Sequence, residues 1–507
     1  MSSRVQAPGR QVVRGGICAV SLLLAPGCAS LHMGTKTPPS TTQHAQPAAA
    51  ATTTASAGTT AAPQDTTRPD TAVMSVFRPQ WPSTYHRRPS PPVLIRNATI
   101  LTATGTEITG GSILLRDGHI AAIGQDIAAP DSAVIVDGTG KFVTPGIIDT
   151  HSHLGVYAAP GTEAESNGNE LTNPNTAQVW AEHSFWPQDP QLPLALAGGV
   201  TTIDVLPGSG NLIGGRSVVV HLVPARTVQD MKFPGAPYSL KMACGENPMR
   251  VYGSRGQAPS TRMGNFAGYR NAFIAAERYR RRWDAWNANR RGDPPDRDLQ
   301  LETLADVLRG RILVQNHCYR ADEMAQMLDL AREFGFHIRA FHHAVEAYKI
   351  ADMLARDSVA VAVWADWWGF KMEAFDGVQQ NAALVAAAGG RVCIHSDSEN
   401  GIQRLNQEAA KAMWAGRRAG INITRQEAIR WITANPAWVL GIDSVTGTLE
   451  VGKNADVVVW NGDPFSVYAR AEQVYIDGAL MYDRANPGTW WRTDFELGNE
   501  PAAGRDR

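Results

Sequence analysis

From Val93 onward, apolar positions recur with a period that switches between two and about 3.6 residues. Val93 to Ile100 reads as a strand, and Gly111 to Ile120 as two short strands about an Asp117-Gly118 turn. Val134–Asp137 and Lys141–Val143 continue a small all-β unit. Short strands with glycine turns return at 447–460 and 473–478. Between these ends, strands alternate with helices. Val200–Leu206 is a strand, and Ile312–Asn316 is followed by a helix in which Met324, Met327, Leu328 and Ala331 share one face. His337–Phe341 precedes a helix through Leu354. Val359–Trp364 precedes a helix through Ala388, closed by Gly389-Gly390. Val392–Ile394 precedes a helix from about Gln403, and Thr424 with Glu427 forms a capping box for the last helix. Alternation over about 290 residues predicts an α/β fold with a parallel sheet under helices, and the number of units favours a barrel. Residues from about 250 to 310 read as a helical insert rich in Arg and Trp.

The N-terminal segment has a different pattern. Arg4, Arg10 and Arg14 precede the mostly apolar stretch Gly15–Ala25, too short to span a bilayer, so residues 1–30 read as an export signal. Ala25-Pro26-Gly27-Cys28 resembles a lipoprotein box, and two readings stand: lipidation at Cys28, or plain cleavage near Ala29 or Ser30. Ala29 after the cysteine resembles the signal for outer-membrane delivery. Residues 31–85, rich in Thr, Ala, Pro, Ser and Gln, read as a disordered tether. The expected location is therefore the bacterial periplasm or, through a lipid anchor, the outer membrane.

Composition narrows the partners. Of 507 residues, 43% are hydrophobic and 19% charged, which suits a globular body, and a net charge of −1 gives no general attraction to nucleic acid. The basic run Arg278–Arg282 beside Trp283 and Trp286 reads as a solvated helix face. Outside the signal and Cys28, Cys244, Cys318 and Cys393 are an odd, widely spaced set in predicted strands. They are expected as buried thiols, not a disulfide framework.

The chemistry concentrates at strand ends. Thr144 to His153 ends an apolar strand in two histidines, and a period of two points both imidazoles to one face. At the C-terminal end of a barrel strand, that face is the mouth where active sites lie. His317 follows the next histidine-bearing strand, His342-His343 the one after, and Asp397 the last, in His395-Ser396-Asp397. Tyr238–Pro248 offers both Lys241, early in its strand, and Glu246, at its end before a proline.

The stretch Pro145–His153 resembles the opening barrel motif of the amidohydrolase superfamily. The likeness runs from about residue 92 to 480 and includes the closing stretch Gly447–Asp456. The imidazolonepropionase-like branch is the most similar. This resemblance implies a (β/α)₈ TIM-like barrel over 146–439 and a composite β-sandwich from 92–145 and 440–485. It implies one or two divalent ions, zinc foremost, on His151, His153, His317, His343 and Asp397, with a bridging carboxylate. Glu246 has the better position for that bridge because it stands nearer the mouth and needs no modification, and a carboxylated Lys241 is the alternative. With neither, a single ion would sit on His151, His153, His317 and Asp397, leaving His343 to act on the substrate.

A metal lowers the pKa of bound water from about 15.7 to about 7. Asp397 would accept a proton from that water and deliver it to the leaving amine, with His343 or the ion polarising the carbonyl. The expected substrate is a small molecule or short peptide carrying an amide, dipeptide or N-acyl amino acid C–N bond. Lactones and cyclic imides are alternatives on the same site, and an exported binding protein that has lost catalysis is the non-enzymatic one. Arg320 and Tyr252 are candidates for holding a substrate carboxylate. Pro207–Arg216 lacks a phosphate-loop ending and reads as an active-site loop. Met249 stands where the branch frequently has lysine. Asp366-Trp367-Trp368 either lines the pocket or packs. A homo-oligomer is expected.

Overall fold

The computed structural model describes residues 81–367 and 369–494. The signal, the Cys28 site, nearly all of the 31–85 tether and Trp368 lie outside the described residues. The last residues of the expected tether are tied down: Ser83 donates to the Lys232 carbonyl at 2.6 Å, and the Tyr85 hydroxyl donates to Asp477 at 2.8 Å. Tyr85 packs its ring against His221, apolar burial that the polar composition around it hides.

The chain opens with β1 (Val93–Leu101), β2 (Glu107–Arg116), β3 (His119–Gly124), β4 (Val134–Asp137) and β5 (Phe142–Pro145). Asp117 (φ 53°) and Gly118 (φ 81°) take the two positive dihedrals of a tight hairpin between β2 and β3, as the Asp-Gly pair predicts. Then follow β6 (Ile147–Ser152), α1 (Gln191–Ala197), β7 (Val200–Val205), β8 (Ile213–Arg216), β9 (Val218–His221), β10 (Ser239–Ala243) and α2 (Glu246–Gly253). Next are α3 (Arg262–Asn289), α4 (Leu299–Val307), β11 (Leu313–Cys318), α5 (Ala321–Phe334), β12 (Ile338–His343), α6 (Ala351–Arg356) and β13 (Ala360–Val363). The chain continues through α7 (Asn381–Ala387), β14 (Val392–Ile394), α8 (Leu405–Arg418), α9 (Arg425–Arg430) and α10 (Ala434–Leu440). It closes with β15 (Val457–Trp460), β16 (Ala471–Ile476) and β17 (Ala479–Asp483).

The first and last strands share one eight-stranded sheet, in which β5 pairs with β1 on one side and with β15 on the other. The middle strands form a barrel-like ring in two pieces. One runs β14-β13-β12-β11-β10-β8 and the other β6-β7-β9. Here the expected all-parallel barrel is corrected. β8 pairs with β10, and β9 with β7, both antiparallel, and only Ser217 separates β8 from β9. Residues 213–221 thus join the two pieces as one stave of reversed direction, which needs no crossover helix. On the other side the pieces meet where the Asp397 amide donates to the His151 carbonyl at 3.1 Å.

Local signals explain the helices. Thr424 caps α9 by accepting from the Glu427 amide at 3.1 Å, as the capping box predicts. On α5 the predicted face (Met324, Met327, Leu328 and Ala331) is buried, each large side chain contributing about 1.5–3 kcal/mol. In α3, Tyr279 and Trp283 are buried while Arg278, Arg281 and Arg282 face solvent. The helix expected after β13 is confined to α7. Residues 364–367 and 369–380 are loop, with a short 3₁₀ turn at Met372–Ala374. Among the described residues, no helix is long and apolar enough to cross a membrane.

Candidate metal centre

The parallel strands end level with one another. Ala243 pairs with His317 between β10 and β11, Cys318 with His343 between β11 and β12, and Val363 with Ile394 between β13 and β14. Their last residues therefore meet at one mouth. Gly146, in the Pro-Gly-Ile-Ile-Asp approach to the His pair, lies so close to Thr201 on β7 that a Cβ would overlap its side chain. That contact lets β6 seat its histidines against the neighbouring strand.

Two triplets of side chains offer ligand atoms lying within 4.8 Å of one another: His151, His343 and His395, and His151, His153 and Asp397. Asp397 Oδ1 is 3.2 Å from His153 Nε2 and 3.5 Å from His151 Nε2, and Oδ2 is 4.0 Å from His343 Nδ1. A tetrahedral ion with bonds of about 2.1 Å wants its ligands roughly 3.4 Å apart. The His317 ring lies 4.5 Å from that of His343, and neither His317 nitrogen has a hydrogen-bond partner. His395 likewise leaves both buried nitrogens unpartnered.

These features fit a cation. His153 Nδ1 lies 2.8 Å from the Leu206 carbonyl, which can only accept, so Nδ1 carries a proton and Nε2 is turned to the Asp397 carboxylate. At 3.2 Å from Oδ1, Nε2 leaves room for a positive charge between the two, a proton or a metal ion. Burial drives His151, His317 and His343 well below the ordinary imidazole range and His395 to about 3, so all are neutral and able to ligate. Burial raises the Asp397 carboxyl, but the hydrogen bond it receives from His153 and the positive charge around it, that of Lys241 included, outweigh the burial and bring it below its usual value. Beneath, Asp149 accepts from the amides of His151 and Ser396 and from the Ser396 hydroxyl, fixing both strand ends. Its burial lifts it to about 7.

Strand alternation alone would send His342 and His343 to opposite sides. Left-handed backbone at His343 (φ 68°) and Ala344 (φ 36°) breaks the alternation, and both rings lie 4.8 Å from His151. Asp397 also has positive φ, 49°.

The two bridge candidates part company. Lys241 is fully buried in the ring, with Nζ 3.4 Å from His151 Nε2 and donating to the Pro207 carbonyl at 3.0 Å. Glu246 opens α2, beyond the strand end, with its carboxylate 3.5 Å from Lys371 Nζ. Position along the chain favours Glu246; the strand ends at Ala243, and Glu246 follows the turn at Gly245 (φ 80°). The other two sequence candidates are engaged elsewhere. Arg320 forms a two-bond pair with Asp322, and the Tyr252 hydroxyl donates to the Asn173 carbonyl and accepts from Asn211.

Sequence reading also missed His395, although its spacing of two from Asp397 signals a shared face. The expectation of three free thiols is corrected as well. Cys244 and Cys318 form a disulfide with Cα atoms 5.3 Å apart, because adjacent strands in register bring them side by side across 74 residues of sequence. Cys393 is a buried free thiol. At the rim, Trp367 stacks on Trp364, Trp364 on His343, and His343 on Tyr319, over which Lys371 Nζ lies at 3.8 Å.

Residues 337–482 match the amidohydrolase family model. The chain is 36% identical to an amidohydrolase from Thermotoga maritima of known crystal structure, covering 77% of this chain and all of that one with a TM-score of 0.72. It is 34% identical to amidohydrolase tasK of Hapsidospora irregularis over 77% of this chain, and it spans 43% of that protein's length. It is also similar to an imidazolonepropionase of Mesorhizobium japonicum, 23% identical over 72% of this chain and 91% of that one.

Proposed function

The chain belongs to the amidohydrolase superfamily, and from that premise we propose that it is a metal-dependent hydrolase of a C–N bond in an amide, dipeptide or N-acyl amino acid. The convergence of five histidines, Asp397 and Lys241 on one mouth carries this reading. His151, His153, His317, His343, His395 and Asp397 are the residues to hold one or two divalent ions, zinc foremost. When bound, an ion supplies Lewis acidity and an acidified water at the mouth.

The remaining steps belong to the chain. Asp397 takes the proton of the attacking water and returns it to the departing nitrogen. Lys241 is the bridging residue. Burial lowers its amine to about 8, so roughly a tenth is neutral at pH 7. The neutral amine would add carbon dioxide, forming one N–C bond and releasing one proton, and as a carbamate Lys241 would be an anionic ligand helping to hold the ions. The aromatic rim of Tyr319, Trp364 and Trp367 suits an apolar group beside the scissile bond.

Elemental analysis of the purified, reconstituted protein is expected to give one or two ions per chain. Screening of peptide, N-acyl, lactone and imide libraries is expected to give turnover in the first two. Less than about a tenth of an ion per chain would sink the metal reading, and turnover confined to lactones or imides would move the substrate class.

Export is part of the same proposal. A buried disulfide suits an oxidising compartment. With Cys28 lipidated, Cys28→Ser is expected to move the protein from the membrane to the soluble fraction and to remove lipid mass from its N-terminal peptide. Wild-type protein that is already soluble and begins near Leu31 would replace the anchor with plain secretion.

A further inference from the structure

His342 lies in the ring without facing the ligand pocket. Its Nδ1 is 2.9 Å from His151 Nδ1, and its Nε2 is 2.8 Å from Gln315 Oε1. The Gln315 amide is itself oriented. Its Nε2 points to the Val439 carbonyl at 3.4 Å, a group that only accepts, and to the Ser239 hydroxyl at 3.2 Å. All three side chains are buried, and no carboxylate stands against either nitrogen of His342.

The polarity of every bond in this row follows from that anchor. Val439 forces the amide nitrogen of Gln315 downward, which presents Oε1 to His342. An amide oxygen cannot donate, so His342 carries its proton on Nε2. A neutral ring then has a bare Nδ1, which accepts from His151, so His151 carries its proton on Nδ1. His151 Nε2 is left with its lone pair, and it points at Asp397 Oδ1 and Lys241 Nζ.

We infer that Gln315 and His342 are positioning residues that fix His151 in the tautomer whose Nε2 faces the metal pocket. This rests on the metal reading proposed above. The row runs from α10 through β11 and β12 to β6, so a backbone carbonyl on a helix outside the ring sets the ligand state of the histidine that both metal-binding triplets share. Without it, His151 would divide between two tautomers, and the one protonated on Nε2 cannot ligate from that nitrogen.

The test separates polarity from packing. Glutamine at position 342 can accept from His151 through its oxygen and donate to Gln315 through its nitrogen, whereas phenylalanine fills similar space with neither function. Zinc affinity is read by chelator competition on the full-length protein, with thermal melts as a check of folding. His342→Phe and Gln315→Met are each expected to weaken zinc binding by about 10- to 100-fold, the usual effect of losing such a partner. His342→Gln is expected to stay within about threefold of wild type. Wild-type affinity in His342→Phe or Gln315→Met would overturn the inference, and so would a His342→Gln as weak as His342→Phe. Should His342→Phe fail to fold, Gln315→Met and His342→Gln carry the comparison. A wild-type protein that binds no zinc would instead defeat the metal reading itself.

Discussion

Asp397→Asn lowers kcat by about 10²- to 10⁴-fold, the usual contribution of a positioned acid–base group, while most of the bound metal and the fold remain. Asparagine occupies the same volume, tolerates the left-handed backbone at this position (φ 49°) and keeps an oxygen for a ligand bond. It cannot take a proton from water and hand it to a leaving amine. Steady-state kinetics and elemental analysis on one sample check both halves, and a variant with near wild-type rate would show that another base acts. The wild-type pH profile gives a second view. The carboxyl lies below its ordinary value, so its basic form persists as pH falls through the usual carboxylate range, and the acid limb of kcat is expected below that range.

Lys241→Met is expected to remove one of two ions and to cost at least about 100-fold in kcat/KM, whereas Glu246→Gln stays within about threefold of wild type. Methionine keeps the apolar stem that fills the ring but presents no amine to carbon dioxide. Glu246 meets only Lys371 at the rim, half-exposed, where an ion pair contributes at most about 1 kcal/mol. Metal content and kinetics of the two variants decide it. Loss of the second ion in Glu246→Gln but not in Lys241→Met would restore the glutamate as the bridge.

Much of this was legible in the sequence because it depends on short-range periodicity. The period of two in His151-Ser152-His153, the helical face of α5, the Asp117-Gly118 turn and the Thr424 cap are each set within a few residues. The errors arose where a distant neighbour decides the outcome. The depth of Lys241 in the ring is likewise set by the register of β10 with β11, which one strand's sequence does not encode. The same register pairs Cys244 with Cys318. The reversed stave 213–221 was hidden by its glycines, which read as a loop although Gly215 (φ 117°) and its neighbours pair on both sides. His343 could be chosen over His342 only by resemblance, since the backbone reversal that turns it leaves no mark on local polarity.

The eight-stranded sheet bears on how the chain folds. β5 has β1 on one edge and β15 on the other, so Phe142 waits for Trp460, about 300 residues later, before both of its ladders are made. A closure of that span makes native pairing slow, and until it happens β5 offers an unpaired edge just before the strand that carries His151 and His153. A chain cut after α10 would keep every metal-facing side chain yet lose the partner of that edge and the indole that donates to Thr144. Such a fragment is expected to be an aggregation hazard rather than a minimal enzyme.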